Sequence, residues 1–67
     1  MCRSIKPLFV TDSPATEDEV RAAALQFVRK ISGMRQPSRA NDAVFQAAVD
    51  EITAAAGRML AQLRRTR

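Results

Sequence analysis

The residue with the most distinctive chemistry is Cys2, which directly follows the initiating methionine. Removal of Met1 would leave an N-terminal cysteine whose amine and thiol together can bind a metal ion or act as a nucleophile. The positive charges of Arg3 and Lys6 would favour the thiolate form. The alternative is that Cys2 is a small apolar side chain that packs against the rest of the fold. Packing is the more common role of a lone cysteine, so a thiol site at Cys2 and Arg3 remains an alternative.

A second candidate site is a group of basic residues around the connection between two predicted helices. The segment 20–41 contains no acidic residue. The second helix would begin inside this segment, and the free backbone N–H groups at a helix N-terminus bind anions. Arginine adds charge-assisted hydrogen bonds to phosphate oxygens. The pattern predicts a site for a phosphate group of a nucleic acid or a small ligand, and the alternative is a solvated surface. The candidate residues are Arg29, Lys30, Arg35, Ser38, Arg39 and Asn41.

Other kinds of site find little support in the composition. The chain has no histidine and 1 cysteine, which excludes an intrachain disulfide, a zinc site with several Cys or His ligands and a histidine general base. Asp50 and Glu51 are adjacent, and adjacent side chains on a helix point about 100° apart, so they make no catalytic pair. We therefore predict a non-enzymatic interaction protein without a cofactor or a metal site.

The charge balance is compatible with a polyanionic partner. The chain has 11 Lys and Arg against 7 Asp and Glu, for a net charge of +4. Its 3 aromatic residues are all phenylalanine, and we expect them to be buried, which leaves none exposed for stacking on bases. Nucleic-acid binding would then be non-specific and driven by charge. The terminal Arg64, Arg65 and Arg67 are expected to form a solvated tail. This tail would add only non-specific affinity for a polyanion.

Two amphipathic helices are predicted. The first covers 17–32, because Thr16 and Glu19 form a capping box and Gly33 supplies a left-handed helix end. Its apolar stripe is Val20, Ala24, Phe27 and Ile31, widened by Ala23 and Val28. The second helix covers about 39–64, with Ser38 as its N-cap. Its stripe is Phe45, Val49, Ile52, Ala56, Met59 and Leu63, with Val44, Ala48, Ala55 and Leu60 beside it.

The short connection between the helices predicts an antiparallel hairpin in a single small all-α domain, 1–67, with 15–67 as the hairpin. The segment 1–14 is expected to be an extended arm, because Pro7 and Pro14 do not fit a helix. The longer second helix would project beyond the first, at the end where the arm leaves. The arm residues Leu8 and Phe9 are expected to cover this projecting end. A second copy of the chain, or another protein, is the alternative cover, and two copies would form a four-helix bundle. The surface concerned is Met59, Leu60 and Leu63.

Short segments spread over nearly the whole chain form a specific string of motifs. They are Met1-Cys2-Arg3 with Ile5, Leu8-Phe9, Pro14-Ala15-Thr16, Arg21-Ala22-Ala23, Val28-Arg29-Lys30, Ser32-Gly33, Pro37-Ser38, Ala40-Asn41 and Ala48-Val49. In these segments the chain resembles a family of small bacterial proteins of unknown function, family 2277 of the domains of unknown function, whose members begin Met-Cys-Arg-Asn-Ile. Ser4 departs from the usual Asn. The resemblance implies no activity.

The apolar runs are too short to cross a membrane or to form a signal peptide, so we expect a cytoplasmic protein.

Overall fold

The fold is a helical hairpin, as a computed structural model shows for residues 7–9 and 15–63. Helix α1 spans Glu17–Ser32 and helix α2 spans Asp42–Gln62, and the two pack against each other. A 3₁₀ turn, Arg39–Asn41, precedes α2. The predicted all-α hairpin with a longer second helix is confirmed, and the described part of the chain contains no strand. The predictions for the N-terminal Cys2 and for the C-terminal arginines lie outside the described residues.

Both ends of α1 form as the local sequence predicts. The Oγ1 atom of Thr16 accepts a hydrogen bond from the backbone N–H of Glu19 at 3.1 Å, and the N–H of Thr16 donates to Glu19 Oε1 at 2.9 Å. At the other end, Gly33 has φ 73° and its N–H donates to the carbonyl of Arg29 at 3.0 Å. The capping box and the left-handed glycine therefore fix where α1 begins and ends.

The start of α2 differs from the predicted capped helix. Ser38 precedes the helix, but its side chain makes no capping bond and its Oγ accepts from Asn41 Nδ2 at 3.1 Å instead. The backbone N–H of Asn41 donates to the Ser38 carbonyl at 3.0 Å, which is the tighter bonding of a 3₁₀ turn. Regular α geometry begins only at Asp42, whose negative charge complements the helix dipole.

The core is smaller than the predicted apolar stripes. Phe27 and Ile31 belong to the predicted stripe of α1 but are 41% and 67% exposed, so the expectation that they are buried is wrong. Ile31 is exposed because α1 continues past the level at which its last buried residue, Val28, and the first buried residue of α2, Phe45, lie. Phe27 is at the level of Val28 but points about 60° away from the middle of the buried row of α1. Val44 and Met59 of α2 are exposed as well, and so is Leu63, which follows the helix. Among the described residues, the buried ones are Val20, Ala24, Val28, Phe45 and Val49. All of these except Val20 form one core cluster, against which the partly buried Leu25, Met34, Ala48 and Ile52 pack.

Leu8 and Phe9, which belong to the predicted arm, are half-buried. Their expected contact with the last turns of α2 remains a prediction. The extended state predicted for the rest of the arm concerns residues outside the described part of the chain.

The glycine inside α2, Gly57, gives the first testable prediction. A Cβ atom built on Gly57 would meet no atom within 4 Å, so no neighbouring backbone requires a glycine there. We expect Gly57→Ala to raise the free energy of unfolding by about 0.5–1 kcal/mol, because alanine restricts the unfolded chain and favours a helix. Gly33→Ala should lower it by about 1–2 kcal/mol, because its left-handed φ is costly for a residue with a Cβ atom. Urea denaturation followed by circular dichroism checks both, and destabilisation by Gly57→Ala would contradict the open packing.

Candidate functional site

Three basic side chains lie together where α1 ends. Arg29, Lys30 and Arg35, here called the basic turn cluster, line an open depression of about 360 Å³. Gln26 and Gly33 complete its lining. Lys30 and Arg35 are exposed, and Arg29 is half-buried. A shallow depression with three cations on its walls suits a multiply charged oxyanion such as a phosphate.

The cluster is held together by the way the chain leaves α1. The left-handed Gly33 reverses the backbone, and the N–H of Met34 donates to Ser32 Oγ at 3.1 Å. The next residue, Arg35, presents its carbonyl oxygen to Arg29 Nε at 2.9 Å. This hydrogen bond joins the last turn of the helix to the connection, so it positions Arg29 and Arg35 beside each other.

The cluster carries an uncompensated positive charge. Among residues 15–63, no acidic side chain forms an ion pair with Arg29, Lys30 or Arg35, whereas Arg21 pairs with Asp50 at 2.5 Å. The Arg21–Asp50 pair is largely exposed, so its contribution to stability is small. The pair joins α1 to α2 on one side of the hairpin. An unpaired group of cations is the electrostatic arrangement that attracts a polyanion.

A second depression, of about 410 Å³, lies between the two helices on the side of the Arg21–Asp50 pair. Arg29 and Arg35 also line it, but Asp42 does as well. The Oδ1 atom of Asp42 accepts from Gln46 Nε2 at 3.5 Å. Because a carboxylate at the first turn of α2 already complements the helix dipole, this depression is a poorer anion site than the first.

The structure brings together only part of the predicted phosphate site. Arg29, Lys30 and Arg35 share one depression, whereas Ser38, Arg39 and Asn41 line neither depression. Ser38 and Asn41 are hydrogen-bonded to each other, and Arg39 is exposed in the 3₁₀ turn. The predicted thiol pair Cys2 and Arg3 lies outside the described residues.

Sequence reasoning missed Gln26, which lines the depression beside Lys30. Its position three residues before Arg29 and four before Lys30 was the available signal, because such spacings place side chains on one helix face. An amide side chain next to cations adds both a hydrogen-bond donor and an acceptor to the site.

Two further structural findings concern metal sites and membrane-spanning helices. The described residues contain no group of three or more His, Cys, Asp or Glu side chains placed to hold a metal ion. Within the same part of the chain, neither helix combines the length and the apolar character needed to cross a membrane.

Fold and site together define a small all-α hairpin protein with an unpaired basic cluster at the end of its first helix. The chain belongs to the family DUF2277, described as an uncharacterized conserved protein, whose family model matches residues 1–67. The family membership expected from the sequence is thereby confirmed. No curated protein and no solved structure matches the chain.

Proposed function

We propose that this chain is a non-enzymatic interaction protein whose basic turn cluster binds the phosphate groups of a partner. One observation carries the proposal: Arg29, Lys30 and Arg35 line a single open depression, and none of them has an acidic partner among residues 15–63. Like charges brought close together cost free energy unless an anion compensates them. A bound phosphate group would supply that compensation.

The geometry of Arg29 supports a role in binding. Its Nε is committed to the carbonyl of Arg35, and its two terminal nitrogens have no partner within residues 15–63. A guanidinium held in place through Nε loses less conformational entropy when its terminal nitrogens bind a phosphate. Arg35 contributes a second guanidinium group, and Lys30 contributes a point charge on a flexible side chain. Together these groups suit an oxyanion that approaches from solvent.

Non-specific nucleic-acid binding is a second candidate function. The lining of the depression includes no aromatic residue, so recognition there would rely on phosphates rather than on stacked bases. The exposed Phe27 lies on the same helix but is not part of that lining. A thiol or metal function at Cys2 is a third candidate, and a cytoplasmic location remains a prediction.

Binding measured at several salt concentrations tests the proposed function. The probes are inorganic tripolyphosphate, a mixed-sequence DNA duplex and a mixed-sequence single-stranded RNA, each titrated by fluorescence or calorimetry. If three cations each neutralise one phosphate of the duplex, a plot of log affinity against log salt concentration has a slope of about −2.7. With this log–log salt slope, a fourfold rise in salt concentration weakens binding about 40-fold.

Each outcome has a defined meaning. Tripolyphosphate binding without nucleic-acid binding would support a phosphate site and remove the second candidate. Salt-dependent binding of both nucleic acids would support the second candidate. The absence of binding to all three probes at low salt would contradict the proposal.

A further inference from the structure

The second depression, here called the interhelical pocket, lies between two facing rows of side chains. Its volume of about 410 Å³ is within the range of small-molecule sites. On α1 the row consists of Arg21, Leu25 and Arg29, which follow each other at intervals of four residues and so share one helix face. On α2 the facing row includes Asp42 and Gln46, also four residues apart. The two helices thus form the long walls of the pocket.

The two ends of the interhelical pocket are also bounded. Arg35 and Pro37 line it from the connection between the helices. Arg21 lies two helical turns before Arg29, and therefore at the end away from the connection. At that end Arg21 forms its ion pair with Asp50, which joins the two helices. A long polymer would have to run over this ion pair, so the pocket suits a small ligand that ends inside it.

The floor of the interhelical pocket is apolar, whereas its rim is polar. The buried Phe45 and Val49 line the pocket together with the half-buried Leu25. An apolar floor favours a group that brings no polar atom to it, because a polar group without a hydrogen-bond partner is costly to desolvate. A planar heterocyclic ring has apolar faces and polar edges. Its face matches this floor, and its edges match the rim.

The rim group that is left without a close partner is a hydrogen-bond acceptor. Asp42 is exposed, and its carboxylate accepts one long hydrogen bond, from Gln46 Nε2 at 3.5 Å. No cation among residues 15–63 forms an ion pair with Asp42, and Arg29 on the facing row donates its Nε–H to the carbonyl of Arg35 instead. A carboxylate can accept two parallel hydrogen bonds from neighbouring donors. The ring that fits best therefore presents two neighbouring donors on one edge.

The interhelical pocket adjoins the basic turn cluster. Arg29 and Arg35 line both depressions, so a phosphate group that contacts these two arginines lies beside the pocket. We propose that the protein binds a mononucleotide, with its phosphate group on Arg29 and Arg35 and its base in the interhelical pocket against Asp42. This inference rests on the proposed phosphate site and adds the identity of the group that the phosphate carries.

Guanine is the base that matches Asp42 best. Its ring N–H and its exocyclic amino group are neighbouring donors, which one carboxylate can accept together. Adenine and cytosine place a ring acceptor beside their amino group, so each offers the carboxylate one donor on that edge. The pocket should therefore favour a guanine nucleotide.

Calorimetric titration of the full chain with small phosphate compounds tests the inference. The probes are guanosine monophosphate, adenosine monophosphate, ribose 5-phosphate and inorganic tripolyphosphate. We expect guanosine monophosphate to bind about tenfold more tightly than ribose 5-phosphate, because the base adds hydrogen bonds to a charged acceptor and contact with the apolar floor. Adenosine monophosphate should bind with an intermediate affinity, since it keeps the ring but offers one donor to the carboxylate.

The probe series separates this inference from the proposed function. Equal affinities of guanosine monophosphate and ribose 5-phosphate, with tripolyphosphate bound, would overturn the inference and leave the phosphate site in place. The absence of binding to every probe, including tripolyphosphate, would remove the phosphate site and the inference with it. These readouts use the wild-type chain, so they do not depend on the folding of any variant.

Asp42→Asn locates the base. The amide presents one acceptor and one donor group in place of two acceptors, so one donor of guanine would face another donor. We expect the affinity for guanosine monophosphate to fall about tenfold, to that of ribose 5-phosphate, while the affinity for ribose 5-phosphate does not fall. Glu51→Gln is the matched control, because it removes the same charge at an exposed position of α2 outside both depressions, and it should bind all probes like the wild type. An undiminished preference for guanosine monophosphate in a helical Asp42→Asn variant would overturn the inference.

Discussion

Phe45→Ala is expected to unfold most of this protein at room temperature. Phe45 is 6% exposed and belongs to the central cluster with Ala24, Val28 and Val49. Truncating a buried phenylalanine costs about 3–5 kcal/mol, from the lost apolar burial and from the cavity that remains. A core in so short a chain rarely supplies more than about 3–5 kcal/mol in total. Circular dichroism at low protein concentration should therefore show the loss of most of the helical signal.

Phe27→Ala is the matched control, because the same side chain is removed from a position that is 41% exposed. We expect it to cost about 1 kcal/mol or less in the monomer, since partly exposed sites away from the core tolerate truncation. Phe45→Leu should cost about 1.5 kcal/mol, because it keeps most of the apolar volume. Equal destabilisation by Phe27→Ala and Phe45→Ala would mean that both side chains belong to the core, as helical periodicity alone suggests.

The ends of α1 were predictable because the signals that set them are local. A capping box needs only Thr16 and Glu19 three residues apart, and the helix end needs only a residue such as Gly33 that tolerates positive φ. Neither interaction depends on where α2 lies. The hairpin itself follows from two amphipathic stripes and a short connection between them.

The depth of the core was not predictable, because burial depends on the partner helix and not on the stripe. Ile31 continues the apolar row of α1 by its spacing, but it lies beyond the level of Phe45, where α2 offers its first buried side chain. The 3₁₀ turn Arg39–Asn41 delays the start of α2 in a way that a Ser-based cap does not predict. Sequence periodicity gives the direction of a side chain, and the tertiary arrangement decides whether something covers it.

The candidate site also has a part that the local sequence predicts and a part that depends on the path of the backbone. Arg29 and Lys30 are neighbours on a helix whose end was predicted, and Arg35 joins them because Gly33 turns the chain back. Arg39 is close in sequence but lies after a connection whose path no local pattern determines. Membership of the cluster therefore follows from the backbone reversal rather than from basic residues being near one another in the sequence.

Replacement of the two arginines of the basic turn cluster is expected to abolish most phosphate binding. The variant Arg29→Gln/Arg35→Gln removes two charge-assisted contacts, each worth about 1.5 kcal/mol or more. Together they correspond to an about 100-fold weaker affinity for the duplex probe. The log–log salt slope should become shallower by about 2, one unit for each cation removed.

Arg39→Gln/Arg58→Gln is the matched control, because it lowers the net charge by the same amount at two exposed positions outside the depression. We expect its affinity to fall severalfold at most and its slope to change little. Equal losses in the two double variants would show that overall charge, rather than the depression, attracts the polyanion. That result would contradict the proposed site while leaving charge-driven association in place.

Arg29→Lys separates the charge of Arg29 from its structural role. Lysine keeps the positive charge but cannot reproduce the Nε–H donor that holds the carbonyl of Arg35 at 2.9 Å. If the arginine acts through a fixed guanidinium, Arg29→Lys should weaken binding by roughly tenfold with an almost unchanged salt slope, because the phosphate loses one preorganised donor group. Wild-type affinity in Arg29→Lys would mean that charge alone suffices, and the hydrogen bond to Arg35 would then serve only to end the helix.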